Sequence, residues 1–133
     1  MTEKRPEFQG EQFEKGLKIR REVLGDAYVD CSLASATDVS APLQKFVTEW
    51  CWGEIWSRPG LERRMRSVLN LGMLIALNRS AEFKLHVRGA LKNGITRDEI
   101  VEIVMQAAVY CGAPASLEAM KSAQAVFAEI DEE

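Results

Sequence analysis

The sequence predicts an all-α chain. Apolar residues recur at helical spacing from end to end, strand-like alternation is scarce, and the interruptions fall where Gly, Pro and capping residues cluster. A chain of 133 residues suits one domain spanning its whole length. The pattern divides it into about six helices forming a compact bundle.

The first helix is predicted near Gln9 to Leu24, with Phe13, Leu17, Ile19 and Val23 apolar, and Gly25-Asp26 ends it. A loop through Tyr28, Val29, Asp30 and Cys31 follows, too apolar for a free linker. Asp38 or Ser40 can cap a second helix carrying Leu43, Phe46, Val47, Trp50 and Trp56, which Arg58-Pro59-Gly60 breaks. The third runs from Leu61 to about Asn78; its first turns are charged, but beyond Ser67 it is apolar nearly all round. So short a chain has few places to bury such a helix, which points to cover from a second subunit.

The fourth helix, near Ser80 to Asn93, gathers Phe83, Val87, Ala90 and Leu91 on one face, and Gly94 stops it. Thr96 and Glu99 form a capping-box pattern at the start of the fifth, which is again apolar on several faces from Ile100 to Val109. Gly112-Ala113-Pro114 breaks the chain before a sixth helix from about Ala115 to Ile130. Two broadly apolar helices in one small chain predict a homo-oligomer.

Composition excludes several classes of function. With 47% hydrophobic and 28% charged residues the chain is ordinary for a folded protein, and at net charge −3 its basic residues lie scattered among acids. Nucleic acid is therefore not an expected partner. Met1 to Glu7 leads into no apolar signal region, and the greasiest run, Val68 to Leu77, is interrupted by Asn70 and Gly72. We expect no membrane association and a cytoplasmic location. Cys31, Cys51 and Cys111 are odd in number and widely spaced, with His86 the only histidine, so neither a disulfide framework nor a metal site follows.

Several local segments carry a more specific signal. They are the stretch from Gly16 to Asp30 (Gly-Leu-Lys-Ile-Arg-Arg-Glu-Val-Leu-Gly-Asp-Ala-Tyr-Val-Asp), Trp52 to Leu61, Arg66-Ser67, Leu85-His86-Val87-Arg88, Asn93 to Ile100, and Tyr110 to Pro114. In this order, over roughly 110 residues, they resemble the carboxymuconolactone decarboxylase family. The resemblance implies an all-helical fold of the alkyl hydroperoxidase D-like type that assembles into rings, commonly a hexamer built as a trimer of dimers. It also implies decarboxylation of 4-carboxymuconolactone to 3-oxoadipate enol-lactone, in aromatic-acid catabolism, without metal or organic cofactor. A sister branch of that superfamily reduces hydroperoxides through a Cys-x-x-Cys pair. Here Pro114 stands where the second cysteine after Cys111 would be, and a dithiol relay cannot run on one thiol. Cys31 and Ser116-Leu117 depart from the decarboxylase pattern, so a paralogue acting on another activated carboxylate is an alternative.

The implied reaction sets three tasks: holding a lactone dicarboxylate, stabilising the developing oxyanion, and delivering one proton to carbon. His86 is the only side chain whose unperturbed pKa suits proton transfer near neutrality. At the rim of the Phe83/Val87/Ala90 face it would ordinarily be a packed or solvent-edge histidine; the resemblance at Leu85 to Arg88 makes it the catalytic candidate. Glu99 is a second catalytic candidate through the superfamily's glutamate, although the capping box accounts for it without catalysis. Arg58, Arg66 and Arg88 fall in family-like segments; Arg66 and Arg58 are the candidates to bind carboxylate, against the plain alternative of surface charges. Trp52 and Trp56 can share one helical face as core packing or as a wall for a flat ring. Cys111 and Tyr110 read as a small buried thiol and a core aromatic.

Overall fold

Glycines and prolines punctuate the chain into helices joined by very short connections. The computed structural model describes residues 4–133, so the first three residues of the N-terminal stretch considered above lie outside the described residues. Among the described residues there are seven α-helices, a π-helix and a 3₁₀ turn, and no strand. The all-α expectation is met. The chain divides after Leu61 into two compact units.

The first unit holds a 3₁₀ turn (Pro6–Phe8), α1 (Glu11–Leu24), α2 (Asp26–Ala34), α3 (Ala41–Phe46) and a π-helix (Val47–Ile55). The predicted loop at Tyr28 to Cys31 is helix α2. Gly25, at φ 93°, caps α1 by donating its N–H to the Arg21 carbonyl and also precedes the first turn of α2, so the chain turns without a loop. Fully buried Val29 holds α2 to the unit, which explains the apolar content of that segment.

Of the two proposed caps for the next helix, Ser40 occupies the capping position but makes no side-chain cap bond. Its hydroxyl instead accepts from the Thr37 N–H at 2.9 Å, while Asp38 pairs with Arg5 at 2.8 Å. The helix then changes pitch. From Val47 to Ile55 it is π-helical, with the Trp56 N–H reaching the carbonyl five residues back on Cys51 at 3.1 Å.

That widened segment packs on α1 backbone against backbone. A Cβ added at Gly16 would stand 1.8 Å from the Thr48 carbonyl oxygen and 3.1 Å from the Gly53 nitrogen. A Cβ at Gly53 would stand 3.4 Å from the Gly16 Cα. The two helices thus meet at a depth that only glycine allows. Gln12, one turn earlier on α1, donates to the Glu49 carbonyl at 2.9 Å and ties the π-helix to the same face.

The second unit packs α4 (Arg63–Ala76), α5 (Ser80–Lys92), α6 (Arg97–Cys111) and α7 (Ala113–Asp131) around one apolar core. Leu71, Ile75, Phe83, Val87, Ile100, Val104, Ala123 and Val126 form its centre. Burial of each large side chain contributes about 1.5–3 kcal/mol against the entropy of ordering the chain. Polar ties fix the helix ends: Asn93 donates to Ser67 at 2.9 Å, and buried Ser116 donates to the Val104 carbonyl at 3.0 Å. Thr96 and Glu99 make the full capping box expected of them. The last helix begins at Ala113 rather than Ala115, because Pro114 sits in its first turn, where a missing N–H costs nothing.

Helix α4 is only partly covered. Ser67, Leu71 and Ile75 are buried, whereas Leu69, Met73 and Leu77 face solvent, as do Met105, Val109 and Tyr110 on α6. Among the described residues no helix is long and apolar enough to cross a membrane.

The Gly16 contact makes a direct prediction. Gly16→Ala should destabilise the protein by about 3 kcal/mol, because the new methyl meets backbone that cannot yield. Gly60→Ala, which meets nothing within 4 Å, should stay within about 0.5 kcal/mol of the parent. Urea midpoints followed by helical ellipticity measure both; equal midpoints would contradict the close approach.

Candidate functional site

The candidate residues fall into both units. In the first, Trp52 on the π-helix and Trp56 at its C-cap are both buried, with their rings stacked on one another at 4.8 Å and 24°. Their mutual stacking places the pair in the packed interior of the unit. Arg58 follows in the exposed turn, its backbone N–H on the Ile55 carbonyl at 3.1 Å.

The same unit contains a cation that the sequence analysis passed over. Arg20 is 4% exposed, on the buried face of α1 with Phe13, Leu17, Val23 and Leu24. It donates to Gln44 Oε1 at 2.9 Å, Thr48 Oγ1 at 3.1 Å and Ser32 Oγ at 3.4 Å, all uncharged acceptors. Burial pulls its pKa down, with Tyr28 and Cys51 opposing that shift. The signal was present: at the helical spacing 13, 17, 20, 24, Arg20 occupies a core position.

In the second unit His86 is half-buried on α5, beside the fully buried Val87. Burial lowers its imidazole pKa below the usual 6.5, and Glu82, one turn earlier, acts weakly in the opposite sense. Both the ordinary value and the direction of the shift leave the ring mostly neutral at neutral pH. Arg66, half-buried, stands on the second turn of α4 one residue before the buried Ser67.

Glu99 is already engaged. Arg64 donates to one carboxylate oxygen and the Thr96 N–H to the other at 3.0 Å, so the carboxyl is held below its ordinary pKa, first by Arg64 and then by the backbone N–H. An ionised carboxylate so placed is a helix cap and ion-pair partner, and it has no proton to donate. Arg88, the third arginine of the family-like segments, is taken up by Glu129 at 3.0 Å and Glu133 at 2.9 Å, tying α5 to the end of α7.

Cys111 and Tyr110 correct the sequence reading. Both are exposed at the end of α6, because the helix turns them away from the Val104/Ala107 stripe that enters the core. They line a groove of about 570 Å³ between α4 and α6, walled by Val68, Met73 and Ile103 with Gln106 at its edge. Among the described residues no group of three or more His, Cys, Asp or Glu is placed to hold a metal ion.

Comparison with known proteins agrees with this fold and these segments. The model of the carboxymuconolactone decarboxylase family matches residues 41–125. The chain is 50% identical over 108 residues, 81% of its length and 76% of the relative's, to a nitrosuccinic acid decarboxylase of Metarhizium robertsii. It is 40% identical over 120 residues, 90% of each chain, to a 4-carboxymuconolactone decarboxylase of Acinetobacter baylyi. A family match across most of the helical chain, and relatives of this identity aligned along nearly all of it, place the protein in the carboxymuconolactone decarboxylase family.

Proposed function

We propose that this chain decarboxylates a small dicarboxylic acid whose leaving carboxylate is activated by an electron-accepting oxygen group, and that 4-carboxymuconolactone is its substrate. The half-buried imidazole of His86, in a chain otherwise akin to decarboxylases, carries the reading. Loss of carbon dioxide leaves an electron pair behind. In 4-carboxymuconolactone that pair delocalises through the ring alkene onto the lactone carbonyl as a dienolate, so the substrate supplies its own electron sink. The protein has to fix the anions, favour the oxyanion and protonate carbon to give the enol-lactone.

A second reading is nitrosuccinic acid, favoured by the higher identity to the relative named for it. The chemical logic is shared: a carboxylate leaving from the carbon that bears a nitro group deposits its electrons as a nitronate. In both cases one carboxylate leaves, another stays, and negative charge grows on an oxygen. Arginine and a proton donor of the histidine class serve either substrate.

Binding of the dianion raises the pKa of His86 from its burial-lowered value, creating the imidazolium that protonates the carbanion. In this reading the substrate is itself the electron sink, so the reaction calls for no metal or organic cofactor. The uncovered apolar residues Leu69, Met73, Met105 and Val109 support a homo-oligomer as the working form.

Carbon dioxide release measured with 4-carboxymuconolactone and nitrosuccinate in parallel tests the proposal; release from neither would overturn it. His86→Gln should lower kcat by about two to four orders of magnitude while helical content and oligomer stay unchanged. Near-native kcat in that variant would remove His86 from the chemistry. Turnover should also persist after dialysis against chelator, and loss restored only by added metal would contradict the cofactor-free reading.

The pH dependence follows from the direction of the His86 shift. Because its folded pKa lies below 6.5, the histidine contributes stability that is present above pH 6.5 and lost as the pH falls through the folded value. Urea midpoints of the parent protein should decline over that interval more steeply than those of His86→Gln. Identical slopes would show that the imidazole is not buried as described.

A further inference from the structure

The guanidinium of Arg20 is engaged unevenly. Its Nη1 group is saturated, with one N–H to Gln44 Oε1 at 2.9 Å and the other to Thr48 Oγ1 at 3.1 Å. The opposite, side-on edge is formed by Nε and Nη2. There Nη2 has a long 3.4 Å bond to Ser32 Oγ, and Nε is buried with no acceptor. That edge is the fork through which arginine grips a carboxylate with two parallel hydrogen bonds.

The charge is also uncompensated. Gln44, Thr48 and Ser32 are neutral acceptors, and the other groups that bear on the guanidinium are Tyr28, which also hydrogen-bonds it, and Cys51. A buried cation without a counter-anion is costly, and an apolar residue of similar volume is commonly the more stable choice. Its neighbour Arg21, by contrast, has an acidic partner in Asp30. Tyr28 is 43% exposed and Cys51 is exposed as well, so the guanidinium lies one side chain beneath the surface of its unit.

We propose that Arg20 is a carboxylate receptor: a substrate carboxylate displaces Ser32 from Nη2, takes the unfilled Nε, and is held on that edge by two N–H bonds. Gln44 and Thr48 fix the plane of the guanidinium from behind, so the fork is oriented before the anion arrives. The identity of the anion as a dicarboxylate rests on the decarboxylase reading; the receptor itself rests on the geometry of Arg20.

Succinate, a dicarboxylate with no activated carboxylate to lose, is the probe. The parent protein should melt at higher temperature as succinate is added. Arg20→Met should keep native helical content, melt at or above the parent temperature without ligand, and no longer respond to succinate. Arg20→Lys, which keeps the charge and loses the fork, should bind succinate about ten- to a hundredfold more weakly. Arg21→Gln should respond as the parent does. No response in the parent, or a parent-like response in Arg20→Met, would overturn the proposal. If Arg20→Met does not fold, Arg20→Lys decides, and unchanged affinity there is the overturning result. A succinate response lost in Arg20→Met without carbon dioxide release from any substrate would leave the receptor standing and remove the decarboxylase reading. Turnover with parental KM in Arg20→Met would do the reverse.

Discussion

Much of the first unit depends on the backbone contact between α1 and the π-helix at Gly16. With no side chain between them, the Thr48 carbonyl lies where a Cβ of α1 would stand. Such proximity brings the Thr48 hydroxyl within 3.1 Å of Arg20, one turn further along α1, and sets the Glu49 carbonyl on Gln12. The π-helical pitch suits the arrangement: Thr48, Trp52, Gly53 and Trp56 are all buried, a spacing of four to five residues that a wider turn keeps on one side. Stacking of Trp52 on Trp56 then fills the volume beside the glycine contact.

The second unit is held differently. Its four helices meet through apolar side chains, and its polar groups act at helix ends: the Thr96/Glu99 box, Asn93 on Ser67, Ser116 on the Val104 carbonyl. Three arginines there have acidic partners. Arg64 serves Glu99, Arg88 serves Glu129 and Glu133, and Arg97 serves Asp131 while lying over the Phe127 ring at 4.9 Å. An arginine committed to a carboxylate of its own chain is a poor ligand for another, because binding would first have to break the existing pair. The same criterion separates Arg20, whose hydrogen-bond acceptors are neutral, from Arg64, Arg88 and Arg97.

Family membership and geometry bear on different parts of the function. The relatives are named for acids that share an activated carboxylate, which narrows the chemistry to one kind of electron flow. The structure adds the state of the groups that would manage it. His86 is neutral through burial, Glu99 is ionised and occupied, and Arg20 is charged and buried beside uncharged acceptors. A carboxylate that is already a cap cannot double as the acid, and in the proposed reaction the imidazole is the group assigned to deliver the proton.

The sequence by itself determined the class of fold, most of the helices and the family. Apolar spacing and the punctuation at Gly25, Gly94, Thr96/Glu99 and Gly112 are local signals, and local signals are what a single chain displays. It also marked His86, because a lone imidazole is visible without knowing its neighbours. What it could not show was set by contacts across tens of residues. The segment at Tyr28 became a helix because Val29 is buried, and the second helix widened to π pitch against the glycine face of α1. Arg64 reached Glu99 from 35 positions away, and Arg20 met Gln44 and Thr48 from 24 and 28 positions away. Whether a charge is paired, and whether a polar group is buried, depends on what packs beside it; only the tertiary structure decides that.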